Sequence, residues 1–294
     1  MDIPPLTHFT NLKSLNIRHT CVDNLDPISG LINLQSLQLN YMHISDIRFL
    51  SDLMQLNTLA LNFNRAETLD ISPVSNLKRL KKLELEQSGI NDLEPLCHLE
   101  DLQYLDVSRL IGRDLSPIVK IKSLETLRIT HNQIPDLTIY SSLPNLHTLD
   151  LAGSSFDVSG LSAFTSIQNL TVNRTSNPAL LVSISTLTTM TSLHLWRNSI
   201  SDVSHLSNLL NLVSLNLAEN KIVDVSPLSR LTKLQKLNLF LNQVKDVSAL
   251  STLYNLKMID LMANPVTEFS SLSKIKGLII KRNYKQNSLW TPTC

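Results

Sequence analysis

The sequence predicts an α/β solenoid, mostly β with 3₁₀ turns, whose parallel strands line the concave side of an arc. Three observations predict it. From Met190 to Asn264 one phrase is written out repeatedly at a spacing of 22 residues: MTSLHLWRNSISDVSHLSNLLN, LVSLNLAENKIVDVSPLSRLTK, LQKLNLFLNQVKDVSALSTLYN. A period between about 20 and 50 residues is the signature of stacked repeat units. Each phrase sets apolar residues at positions 1, 4, 6, 11, 14, 17 and 20 and Asn at position 9. The third observation is the alternation in Leu215-Asn216-Leu217 and Leu237-Asn238-Leu239, which marks a strand with one buried face.

Each element follows from this phrase. The alternating first half of each unit makes a short strand. Asn198, Asn220, Asn242 and Asn264 then stand at one fixed place, where an inward amide bonds backbone groups of its own turn and the next, forming a ladder. Asp-Val-Ser-Pro-Leu at 224–228 follows; the serine is expected to cap and the proline to suit a first helical turn. About 16 residues remain for the return leg, which suits a 3₁₀ turn or extended chain and leaves no room for a full helix. Side chains at positions 3, 5, 7 and 8 are expected to face solvent.

Counting from Leu12, repeats open at residues 12, 34, 56, 80, 102, 124, 146, 167, 190, 212, 234 and 256, with a last strand around Leu278 and Ile280. A single domain over 1–294 is expected: a partial repeat over 1–11, about twelve repeats over 12–277, and a last strand with cap or tail over 278–294. Ile3, Leu6 and Phe9 fit positions 14, 17 and 20 of a first repeat without its strand, and Leu289 and Trp290 fold over the last strand or fray. Two extra residues enter near Glu67 to Ile71, and the unit from Ile167 is irregular, lacking its ladder Asn. Thr20, Met42, Ser88 and Leu110 stand where Asn is expected, so other donors or water must serve there.

These phrases resemble leucine-rich repeats of the short 22-residue class, shared by bacterial internalins and by the leucine-rich regulator of type-one protein phosphatase. The resemblance covers nearly the whole chain. It implies a leucine-rich-repeat horseshoe and a protein-binding role. The internalin likeness implies a bacterial factor that contacts another protein; the phosphatase likeness implies a cytosolic regulatory subunit. A self-assembling solenoid using the N-terminal edge is a third class.

Composition narrows function by exclusion. A formal charge of +1 offers no bulk attraction to nucleic acid or membrane, and no apolar stretch approaches the length of a membrane span. Cys21, Cys97 and Cys294 lie far apart without metal-ligand spacing, which suggests free thiols. With no basic region and apolar run at the start, a cytoplasmic location is expected, export without such a signal being the alternative. Asn169-Leu-Thr171 and Asn173-Arg-Thr175 match glycosylation acceptors and are read as chance. Neither cofactor nor metal is expected, and a monomer is.

The solvent positions carry the functional expectation. Position 7 runs Trp196, Ala218, Phe240, Met262, with Leu241 and Met258 nearby, and position 8 runs His19, Tyr41, Phe63. Exposed aromatic rows are enriched in interface hot spots. Between them lie Glu84, Glu86 and Asp106, then Arg109, Arg128 and His131, then Asp150, Arg174 and Arg197. The partner-binding residues expected are therefore Trp196, Arg197, Phe240 and Met262 as anchors, with Tyr41, Phe63, Glu84, Glu86 and Asp106 as a second zone. The nearest acid and base candidates, Asp150 with His194 or Asp106 with His131, come without a phosphate loop or metal pattern, so no enzyme is expected.

Overall fold

The computed structural model describes residues 6–22, 24–64 and 68–282. Ile3, Glu67, Leu289, Trp290 and Cys294, which the sequence singles out, lie outside the described residues. The chain divides into two compact units, Met1–Leu170 and Thr171–Cys294.

The first unit stacks β1 (Ser14–Asn16), β2 (Ser36–Gln38), β3 (Thr58–Ala60), β4 (Lys82–Glu84), β5 (Tyr104–Asp106), β6 (Thr126–Arg128) and β7 (Thr148–Asp150) in chain order. All are parallel, as a solenoid of one strand per turn requires. Each occupies positions 3 to 5 of its repeat. Leu37 pairs with Leu59, and Leu59 with Leu83, so the two extra residues after β3 leave the register intact. The insertion falls between β3 and the Ser72–Asn76 return leg, where a connection tolerates added length. The central leucines of β2 to β7 are fully buried. Burying one such side chain contributes about 1.5 to 3 kcal/mol. β8 (Asn169–Thr171) spans the division between the units.

The second unit holds a short helix α1 (Leu180–Ile184) and β9 (Ser192–His194), β10 (Ser214–Asn216), β11 (Lys236–Asn238), β12 (Met258–Asp260) and β13 (Ile279–Lys281). Leu193, Leu215, Leu237, Ile259 and Ile280 align across these five parallel strands.

The return legs are 3₁₀ turns, such as Ser72–Asn76 and Ser226–Arg230, with proline in the first turn of both. The expected serine cap is corrected by the structure. Ser226 is itself the first turn residue, and Asp224 caps, accepting from the Ser226 N–H at 2.8 Å and its hydroxyl at 2.8 Å. Asp70 with Ser72, Asp202 with Ser204 and Asp246 with Ser248 repeat the arrangement. Backbone and hydroxyl hydrogen bonds from the serine hold these three carboxyls below the ordinary aspartate value. The repeat from Ile167 departs differently. Its return leg is the one-turn helix α1, opened by the Asn177 side chain accepting the Ala179 N–H at 2.9 Å.

The ladder forms as expected at Asn64, Asn198, Asn220, Asn242 and Asn264, whereas Asn132 donates to Val107 O at 2.9 Å and its side-chain oxygen has no hydrogen-bond partner. Asn220 accepts the N–H groups of Asn198 and Ile200, both at 3.0 Å, and donates to the carbonyls of Leu195 and Leu217 at 3.0 and 2.9 Å. In the first unit smaller groups take over. Thr20 donates to Ile17 O, Ser88 to Leu85 O and Ser154 to Ile129 O. Met42 and Leu110 instead pack as buried apolar residues. Thr175, which holds the ladder position of the irregular repeat, has its hydroxyl buried without a hydrogen-bond partner.

Candidate functional site

Position 8 of every repeat adopts a left-handed backbone. His19, Tyr41, Phe63, Gln87, Arg109 and His131 in the first unit, and Arg174, Arg197, Glu219, Leu241 and Ala263 in the second, all have φ between 51° and 61°. Non-glycine residues enter this region at a cost of about 1 to 2 kcal/mol. Here it is offset by hydrogen bonds: the N–H of position 8 still reaches the next repeat, as from Tyr41 to Asn62 O at 2.9 Å and from Leu241 to Met262 O at 2.9 Å. The reversal turns position 9 inward, where Asn64, Asn198, Asn220, Asn242 and Asn264 are buried. The ladder and the solvent row thus depend on the same torsion. Sequence reasoning missed this, because the usual signal, glycine, stands at position 8 only once, as Gly153.

In the first unit this torsion lines up a ring stack. His19 lies on Tyr41 with ring centroids 4.3 Å apart and planes 12° apart; Tyr41 lies on Phe63 at 4.5 Å and 7°. Tyr41 stays 43% exposed, while Phe63 is half-buried. The rings are partly satisfied by each other.

The expected acidic spot does not stand open. Asp106, expected to face solvent, is buried at 3% exposure. It accepts the Ser108 N–H at 3.0 Å and pairs with Arg128 at 3.2 Å, and Arg128 also reaches Asp150 at 3.3 Å. Burial pushes the Asp106 carboxyl up, against the opposing pull of the Ser108 hydrogen bonds and Arg128. Glu84 pairs with Lys82 at 2.6 Å and accepts from the Asn62 amide at 3.0 Å, and Glu86 pairs with Arg109 at 3.1 Å. Carboxylates one or no repeat away from a cation pair with it across neighbouring strands. Both Asp106 and Asp150 pair with Arg128, and the His131 ring, the base expected with Asp106, lies against Gly153, within 2.6 Å of where a Cβ would stand. A shallow cavity of about 330 Å³ is lined by Gln87, Ile90, Arg109, Leu110, Ile111 and Arg113 together with Gly89.

In the second unit Trp196 is half-buried, with the Arg174 and Arg197 guanidiniums 4.8 and 5.2 Å from its ring centre. Its N–H donates to the Asn173 side chain at 2.9 Å. Arg197 is also ion-paired with Glu219. Ala218, one strand on, is buried at 7% exposure, and half-buried Phe240 follows on the next strand, so the strand side here is an apolar row. Leu241 at 48% and Met262 at 40% extend it into solvent. The Trp196, Arg197, Phe240 and Met262 anchors therefore do share one side of one unit, continued by Leu241. The contribution of Arg174 was missed; it sits at position 8 one repeat before position 7 of Trp196, a diagonal that only the left-handed torsion brings together.

Among the described residues no group of His, Cys, Asp and Glu is arranged to hold a metal ion, and no helix is long and apolar enough to cross a membrane. Burial, with Glu94 beside it, pushes the Cys97 thiol up.

The family model "Leucine Rich repeats (2 copies)" matches residues 122–179, 188–230 and 232–274. No curated protein sequence matches the chain. Among solved structures, an internalin (inlF) of Listeria monocytogenes is 29% identical over 96% of this chain and 83% of its own, with a TM-score of 0.71. A leucine-rich-repeat protein of Leptospira interrogans is 22% identical over 96% of this chain and 76% of its own, TM-score 0.72. The plant peptide hormone receptor RGFR1, solved in complex with RGF2, is 21% identical over 93% of this chain and 48% of its own, TM-score 0.60. The chain is a leucine-rich-repeat protein, and its repeats resemble those of the internalins.

Proposed function

We propose that this chain is a non-catalytic scaffold of internalin type that binds a protein through the exposed strand side of its second unit. One observation carries the proposal: Trp196, Phe240, Leu241 and Met262 lie on the strand side of three of four consecutive repeats, with Leu241 48% and Met262 40% exposed. Left-handed backbone and the buried Asn ladder hold those side chains in place before any partner arrives, so little ordering entropy opposes docking. Identity of 29% over nearly the whole chain to an internalin supports that type over a phosphatase regulatory subunit. The fold is also one found around a ligand, as in the plant receptor complex.

The ring stack and paired charges of the first unit support a lesser role. Glu84, Glu86 and Asp106 are already committed to cations, and a partner must break those pairs to use them. The test is affinity capture from native lysate, with wild type beside a Trp196→Ala/Phe240→Ala variant, read by mass spectrometry. A partner held by wild type and lost by the variant supports the proposal. A partner held equally by both overturns this placement.

A further inference from the structure

The apolar surface of the second unit has an electrically uneven border. Its carboxylates are committed: Glu219 to Arg197, and Asp260 to the Met262 N–H at 3.1 Å with Lys281 Nζ at 3.8 Å. Its cations are not matched in the same way. Arg174 and Lys236, both exposed, form no ion pair among the described residues. Arg174 is also not a loosely tethered charge. Its backbone is left-handed at φ 61°, its N–H bonds Trp196 O at 3.3 Å, and its guanidinium lies 4.8 Å from the Trp196 ring centre. A guanidinium held over an indole face and left without an ion pair is placed to receive a carboxylate, which it can bind with two parallel N–H bonds.

We infer that the segment docking on this surface is an acidic peptide strand or loop of the partner protein, which lays a large apolar side chain on Trp196 and sets an adjacent carboxylate against Arg174. The inference rests on the proposed function, and adds the chemistry that selects among apolar partners. Apolar contact alone discriminates weakly between similar side chains. A guanidinium without an ion pair beside it, held over the Trp196 ring, rewards a carboxylate and rejects a lysine or arginine at that place. Arg197 does not supply this, since Glu219 already satisfies it.

The probe is a random twelve-residue peptide library displayed on phage, selected against the full chain and counter-selected against the Trp196→Ala/Phe240→Ala variant. The expected enrichment is a large apolar residue next to Asp or Glu. Against Arg174→Gln, the enriched peptides bind about 10- to 100-fold more weakly, the loss expected of a charge-assisted pair. Against Arg197→Gln they change far less. Circular dichroism melts of both single variants should overlay that of wild type, since each changes an exposed side chain. Peptides that depend on Trp196 and Phe240, yet show no acidic preference and bind Arg174→Gln equally, overturn this inference and leave the proposed function standing. Enrichment indifferent to Trp196 and Phe240, or no enrichment, overturns both.

Discussion

Replacing Asn220 with alanine tests whether the ladder holds the solvent row in place. Its side-chain oxygen is the partner of two backbone N–H groups, those of Asn198 and Ile200, and its amide serves the carbonyls of Leu195, Leu217 and Ala218. Asn220 is only 8% exposed, so water cannot readily replace it. Each buried backbone group left unsatisfied costs about 1 to 3 kcal/mol, and two orphaned N–H groups alone place the loss at about 2 to 6 kcal/mol. Asn132 is the internal control. It occupies the same position in the first unit and is 3% exposed, but its side-chain oxygen has no partner and its amide donates to Val107 O alone. Asn132→Ala therefore loses one bond and removes one unsatisfied acceptor, a change of about 1 kcal/mol or less. Urea unfolding followed by circular dichroism gives the two losses, and amide exchange at Asn198 and Ile200 localises the first. Equal losses for the two variants, or unchanged protection at Asn198 and Ile200, would refute the reasoning.

Three further outcomes are expected. At Tyr41, with φ 61°, glycine relieves backbone strain that alanine retains, while both remove the ring stack; Tyr41→Gly should be less destabilising than Tyr41→Ala by up to about 1 kcal/mol in urea unfolding. Arg128→Met strands the buried Asp106 carboxylate and should cost about 3 kcal/mol at pH 7, and much of that loss should disappear on acidification, because protonating Asp106 removes the unpaired charge; a loss independent of pH would contradict it. The capping carboxyls Asp70, Asp202 and Asp246 lie below the ordinary value in the folded chain, so their stabilisation is present above the unfolded aspartate value near 3.9 and is lost as pH falls through their folded values. Asp106 is raised and works in the opposite sense, favouring the fold at low pH and losing that contribution as pH rises through its folded value. Thermal melts of wild type should fall below about pH 4, and a triple Asp70→Asn/Asp202→Asn/Asp246→Asn variant should fall less steeply there.

Much of the fold was legible because the repeated residues are the buried ones. The apolar alternation of the first half of each unit placed one short strand per repeat, within a residue of where it stands, and the shortage of room placed the 3₁₀ turns. Three things were hidden for physical reasons. The Asp-x-Ser cap reads equally as a serine cap, and only the hydrogen bonds at Asp224 decide which residue accepts. The left-handed torsion of position 8 is carried by His, Tyr, Phe, Arg, Glu and Leu, whose local preferences oppose it, so its cause is the fold and not the residue. Side-chain partners at the surface depend on which neighbour lies diagonally across the sheet. Arg128 therefore takes both Asp106 and Asp150, closing what reads in sequence as an open acidic place. Of the candidate site, the exposure of Leu241 and Met262 is what the solvent positions of the repeat led one to expect.

The central claim is that the partner sits on that row. A photo-crosslinking amino acid placed at Leu241, 48% exposed on the strand side, and separately at Tyr254, 69% exposed in the turn after the Ser248–Thr252 return leg, tests it most directly. Irradiation in native lysate should yield one discrete adduct from position 241 and none from position 254, with the 241 adduct abolished by Trp196→Ala. An adduct formed from position 254 and absent at 241 would contradict the account.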